Sequence, residues 1–277
     1  MSNLALKNIP LHIIGVFGVV LHVLLLIAFI KDPLKCFRNS ATYLVANLAV
    51  SDLIISLCGP IYISFTHLGL ASTYGTALGV SLPAIASIAA DRYLMVTYPF
   101  KHHYLMSGKK IIIWITYIWI LAAFRAVTQA VIWPWNVYSF TIDIYLGVAI
   151  VLLTGILFVL ISMSLKKQAR NLALDDASGS NRGQATRMLK GKQFVRTILL
   201  ISCVAFIGIV PYSIAYYVLR RRGMLDKETL ALDIFMCFLT ALFFLTFASN
   251  PLIYFLRLPK YRKSFYLLYW RRHSNWE

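Results

Sequence analysis

Twenty residues from Leu11 to Ile30 pass without a single Asp, Glu, Lys or Arg. A helix needs about 20 apolar residues to cross the hydrocarbon core of a bilayer. Inside lipid the backbone has no water to bond with, so a crossing segment must satisfy its own hydrogen bonds as a helix or within a closed barrel. The stretch lacks the basic start and small-residue end of a cleaved signal peptide and reads as a retained span. Further apolar stretches follow at about 41–64, 71–95, 111–132, 142–165, 194–219 and 231–256, which makes seven. The predicted fold class is therefore an all-α integral membrane protein, a seven-transmembrane-helix bundle. Composition agrees, with 60% hydrophobic and 13% charged residues, against about half and about a quarter in soluble domains. The mean hydropathy of +0.73 also argues against a soluble enzyme.

The formal net charge of +17 raises the question of nucleic acid, and its distribution answers it. Segments 31–40, 96–110, 166–193 and 257–277 lie on one side of the predicted membrane and hold nineteen Lys and Arg. The opposite segments, 1–10, 65–70, 133–141 and 220–230, hold five. Positive residues mark the cytoplasmic side. The amino terminus is thus expected outside, the tail inside, and no nucleic-acid partner is expected.

Three regions follow: an extracellular 1–10 too short to fold, a membrane domain over 11–256, and a cytoplasmic 257–277. The polar stretch 168–193, with its Gly/Ser-containing Asp175–Asn181, reads as the one flexible connector. After Pro259, residues Tyr261, Phe265, Leu268 and Tyr269 recur at helical spacing with Lys260, Arg262 and Lys263 between them. That pattern predicts a short amphipathic helix on the inner leaflet, in contact with lipid. Cys36, Cys58, Cys203 and Cys237 match neither a disulfide framework nor a metal pair.

A few polar residues break the apolar runs. Asp52 sits mid-span in the second helix, within Asn47-Leu48-Ala49-Val50-Ser51-Asp52. A carboxylate there is costly, so it should face the bundle and have a partner. Asp91-Arg92-Tyr93 closes the third span, Trp119 lies in the fourth, Pro211 interrupts the sixth, and Asn250-Pro251-Leu252-Ile253-Tyr254 closes the seventh. Each alone has a bland reading as a surface ion pair or a helix kink. Taken in this order, they resemble the rhodopsin-like (class A) G-protein-coupled receptors, over nearly the whole chain.

That resemblance implies a multi-pass plasma-membrane receptor, not an enzyme, that passes an extracellular small-molecule signal to a heterotrimeric G protein. It implies that Arg92 is held by Asp91 at rest and turns inward on activation, next to Tyr93. It makes Pro211 the hinge about which the sixth helix opens outward. Asn250, Pro251 and Tyr254 would shift with the seventh helix, and Pro99-Phe100 would meet the G protein. It also implies a sodium ion at Asp52, with Ser81, Thr246 and Asn250 as neighbours.

The departures matter equally. No cysteine occurs in 65–75 or 133–141 to staple the outer loops, as the family usually does. Asp52 and Arg92 are only 40 residues apart, which leaves almost no first outer loop and predicts a third helix short on its outer side. His22 stands where the family usually has Asn and, if it faces inward, lies close enough to Asp52 to share a proton or a salt bridge. The sixth helix has Ile209 and Ala205 in place of the aromatic pair below the proline, and Lys190-Gly191-Lys192 in place of an acidic lock. An alternative function is therefore a signalling-poor or truncated variant that acts only by associating with another receptor. Retinal is not expected, because 231–256 contains no lysine and Phe244 stands where visual pigments carry theirs. The expected ligand pocket is aromatic, formed by Tyr74, Leu78, Tyr212, Tyr216 and Phe244, and suits a small apolar or weakly polar ligand. Arg125 in the fourth span is expected to pair with Asp143, and Arg220-Arg221-Arg222 reads as a snorkelling helix end.

Overall fold

The computed structural model describes residues 2–34, 37, 39–65, 68–131, 137–174, 182–224 and 229–270. Its helices are α1 (Ser2–Lys31), α2 (Ser40–Phe65), α3 (Leu68–Thr97), α4 (Pro99–Leu105), α5 (Gly108–Val131), α6 (Val137–Leu174), α7 (Arg182–Arg221), α8 (Leu230–Ala248), α9 (Asn250–Arg257) and α10 (Pro259–Phe265). Seven segments are long and apolar enough to span a bilayer, one in each of α1, α2, α3, α5, α6, α7 and α8. Helix α9 continues the seventh span, and a π-helical turn over Tyr266–Trp270 extends α10.

The helices close into a ring around α2 and α3. Helix α2 packs on α1 and α3, α3 on α5, α6 and α7, and α8 closes the ring against α7 and α1. Large apolar side chains turn outward from it, such as Val16, Ile113, Phe124 and Val159, each at least 60% exposed. That is the surface lipid requires, since packing inside and solvation by lipid outside both accept apolar groups. Polar residues point the other way: Asp52, Ser81, Asp91 and His22 are all fully enclosed.

Several expectations are corrected. The amino terminus does not stay unfolded; α1 begins at Ser2 and carries Pro10 within it. Helix three is not short but 30 residues long, and it begins three positions after α2 ends. The missing residues are taken from the connection, because a helix from Leu68 to Arg92 already spans roughly 36 Å at about 1.5 Å per residue. The connector 168–193 is largely helical, since α6 runs to Leu174 and α7 starts at Arg182. Lys, Arg, Gln, Ala and Leu dominate both flanks and are strong helix formers. Residues 175–181 lie outside those described.

The amphipathic segment is anchored to the bundle along one face. Tyr261 and Ser264 are buried, and the Phe265 ring sits 5.5 Å from that of Phe255 in α9. The Tyr269 hydroxyl donates to the Leu24 carbonyl at 3.2 Å. Tyr266, on another face, is 57% exposed.

Candidate functional site: the polar core and the Arg92 end

Gly15, Gly18 and His22 share one face of α1 at offsets of three and four. A Cβ on Gly15 would lie 2.7 Å from the Ser56 carbonyl, and one on Gly18 2.5 Å from the Ser56 hydroxyl. The two glycines thus let α1 lie directly on α2, and this brings His22 beside Asp52. His22 Nε2 stands 3.8 Å from Asp52 Oδ2, with both side chains fully buried.

Two more helices complete the cluster. The Ser81 hydroxyl of α3 donates to Asp52 Oδ1 at 2.8 Å. The Asn250 amide, at the start of α9, donates to Asp52 Oδ2 at 2.5 Å. Asn250 is placed there by a break at Ser249, where α8 ends and Pro251 begins a new helix. Four spans therefore meet on one carboxylate. Thr246 does not join them: its hydroxyl donates to Leu242 at 3.0 Å and reaches Val204 of α7 at 3.4 Å. It fills the space left by Gly208, where a Cβ would collide with it.

A hard cation such as sodium prefers oxygen ligands. What stands against it here is on α1, where a nitrogen, His22 Nε2, rather than an oxygen, faces Asp52 Oδ2 at 3.8 Å. The residues present do not fit the ion.

The opposite cluster lies where α3 ends. Asp91 Oδ2 pairs with Arg92 Nη2 at 2.7 Å, and Asp91 is fully buried. Its other oxygen, Oδ1, meets His102 Nε2 of α4 at 2.9 Å. Arg92 Nη1 lies 3.2 Å from Met95 Sδ. His102 escaped the sequence reading, because nothing in the spacing of 91 and 102 announces a contact until α4 folds under α3. The available signal was Pro99, which opens a helix and puts His102 one turn further on. Phe100, on the same short helix, is 94% exposed. Tyr93 packs edge-on to Tyr98 at 6.3 Å.

Tyr254 is buried with its hydroxyl unpartnered, and its ring stacks on Tyr261 at 5.7 Å. Pro211 lies in α7, with an exposed side chain on the outer surface of the bundle. Trp119 Nε1 donates to Asn47 Oδ1 at 2.8 Å, tying α5 to α2. Arg125 donates to the Gly75 carbonyl at 3.3 Å and to Gln129 at 3.5 Å. The side chain of Asp143 lies outside the described residues, as do Asp226 and Glu228.

At the far end of the bundle the aromatic residues form a ladder. Tyr74 stacks on Phe244 at 6.2 Å and meets Tyr62 at 5.8 Å. Phe243 joins Phe244 at 5.7 Å and Tyr212 at 4.9 Å, and Tyr212 stacks on Tyr216 at 6.1 Å. Leu78 packs into the same cluster. Gly59 makes room for it, since a Cβ there would collide with the Phe244 ring and lie 3.0 Å from that of Tyr74. The five expected pocket residues are neighbours, though their rings pack against one another.

The chain as a whole is similar to known proteins. The chain is 22% identical to the Gq-coupled rhodopsin of Mizuhopecten yessoensis, over 94% of this chain and 58% of that protein. It is 27% identical to the human substance-K receptor, over 84% of this chain and 65% of that one. It thus spans about three-fifths of the length of these curated relatives. The crystal structure of squid rhodopsin superposes over 100% of this chain and 88% of its own, with a TM-score of 0.80 at 18% identity. The family model for the 7 transmembrane receptor (rhodopsin family) matches residues 22–254. With its seven spans, Asp91-Arg92-Tyr93 and Asn250-Pro251-x-x-Tyr254 in that frame, the chain belongs to the rhodopsin family of seven-transmembrane receptors, a family of receptors and not of enzymes.

Proposed function

We propose that this chain is a G-protein-coupled receptor of the plasma membrane, with its amino terminus outside and the Arg92 end facing the cytoplasm. The observation that carries the reading is the clamp on Arg92. A buried carboxylate holds the guanidinium at 2.7 Å at the end of α3, beside a short helix that presents Phe100 outward. Such an arginine is a charge kept out of play until the helices around it part. Pro211 leaves the Ile207 carbonyl without its helical partner and so gives α7 a place to bend. Outward movement of the Arg92 half of α7 would open a cavity to which the G protein binds, with Phe100 as a second contact. An outer ligand drives this only to the extent that it binds the open state more tightly.

The aromatic ladder of Tyr74, Leu78, Tyr212, Tyr216 and Phe244 supports a small apolar or weakly polar ligand, oriented by the tyrosine hydroxyls. With no lysine in 231–256, retinal has no attachment point there. The test is nucleotide exchange on purified G proteins by the receptor in nanodiscs, with Arg92→Ala as control. Exchange above the receptor-free rate, lost in Arg92→Ala, supports the proposal. A rate equal to the receptor-free one across the G-protein subtypes refutes it.

A further inference from the structure

A carboxylate enclosed in a bundle needs a countercharge, because neutral donors alone seldom offset the loss of water around an ion. The two hydrogen-bond donors to Asp52, the Ser81 hydroxyl and the Asn250 amide, are both neutral. Among the described residues, the basic group within ion-pair reach of Asp52 is His22. Also among the described residues, the phenol of Tyr254 in α9 interacts electrostatically with Asp52.

The hydrogen positions on His22 follow from its other nitrogen. Nδ1 lies 2.7 Å from the Gly18 carbonyl, one turn back along α1. A carbonyl oxygen only accepts, so Nδ1 carries a hydrogen. In a neutral imidazole Nε2 would then be a bare lone pair. That lone pair would sit 3.8 Å from Asp52 Oδ2, fully buried and with no hydrogen-bond partner. Lone pair facing carboxylate is a repulsive arrangement in a medium that screens little. A proton on Nε2 converts the same geometry into an ion pair. The ring has little freedom to turn away, since Gly15 and Gly18 press α1 against α2.

We propose that a protonated His22 is the built-in countercharge of Asp52, occupying the electrostatic role that a bound metal cation would otherwise fill. The bundle core of this receptor is accordingly insensitive to sodium. The cation that ties α1 to α2 belongs to the chain itself. This inference rests on the geometry of α1, α2 and α9 and stands whether or not the proposed G-protein coupling holds, so its test reads no signalling.

The experiment uses the full chain, purified in nanodiscs, with thermal unfolding followed in matched sodium and choline chloride. The wild type is expected to melt at the same temperature in both. His22→Asn removes the internal cation and is expected to gain sodium stabilisation, roughly 3 °C when sodium is about ten times its dissociation constant. Nitrogen NMR of histidine-labelled wild type gives a second readout that does not depend on the variant folding. Both ring nitrogens of His22 should appear protonated. Sodium stabilisation of the wild type, a His22→Asn protein that gains none, or an unprotonated Nε2 would each overturn the proposal.

Discussion

Among the described residues Asp91 meets Arg92 and His102, and the first of these adjoins it in the chain. The pairing with Arg92 was legible through the family resemblance and not through spacing, because adjacent residues on a helix do not face each other. The pairing with His102 was not, because it depends on α4 turning back beneath α3. The consequence is a carboxylate held from both sides, at 2.7 Å and 2.9 Å. His102 positions Asp91, and its loss should free the arginine. A hydrogen bond to a charged group contributes about 1.5–3 kcal/mol, and His102 is partly solvated, so about 1 kcal/mol is the sober figure. His102→Ala is expected to raise basal nucleotide exchange about five-fold. Substituting Arg92 in the same protein should abolish the gain. An unchanged basal rate in His102→Ala would show that Arg92 alone sets the resting state. Thr246 shows the opposite failure. Its spacing from Asn250 placed it near Asp52, yet the close approach of Gly208 offers its hydroxyl a carbonyl on α7 instead.

Elements were legible where lipid dictates them and blurred where it does not. Each membrane-spanning segment corresponds to an apolar run in the sequence, because the bilayer demands both length and composition. Helix ends beyond the bilayer answer to propensity, so α6 and α7 overrun the expected connector with 38 and 40 residues. The outer end of α3 departs from expectation for a related reason: the turn between α2 and α3 needs almost no residues, so the helix keeps them. The contact of α1 with α2 makes an element-scale prediction. It relies on bare backbone at Gly15 and Gly18, where close approach replaces the hydrophobic drive that helices lack in lipid. Gly18→Leu would drive its side chain into Ser56 and Ala248 and separate the helices. Overpacking of this kind costs about 1–3 kcal/mol. The variant is expected to melt several degrees lower, and since His22 moves with α1, to lose the pairing with Asp52 too. Equal melting temperatures for Gly18→Leu and wild type would show that the two helices are not held by this contact.

At the scale of the whole molecule, enclosure is uneven, and that decides which helix is free to move. In the most apolar window of α2, 61% of residues are buried within the protein, against 17% in those of α6 and α7. Displacing α2 would break the Asp52 cluster and the Trp119–Asn47 bond together. Displacing the Arg92 half of α7 breaks far less, because much of its surface already faces outward. Near Pro211, α7 is tied by the Thr246 bond to Val204 and the packing of Tyr212 on Phe243, and at its Arg92 end by the exposed Gln193 amide, which donates to the Arg257 carbonyl at 2.6 Å. A helix packed near a proline and held beyond it by an exposed hydrogen bond should, once that bond breaks, swing about the proline rather than slide. Spin labels on cysteines replacing Arg196, exposed on α7, and Tyr104, exposed on α4, test this directly. Adding nucleotide-free G protein is expected to lengthen their separation by several ångström, while a control pair on α2 and α5, at Tyr43 and Trp114, keeps its distance. Pro211→Ala restores the helical bond to Ile207 and should shrink the change without altering the resting distance. If both pairs keep their distances with G protein bound, α7 is not the moving element, and the opening must be sought in another helix.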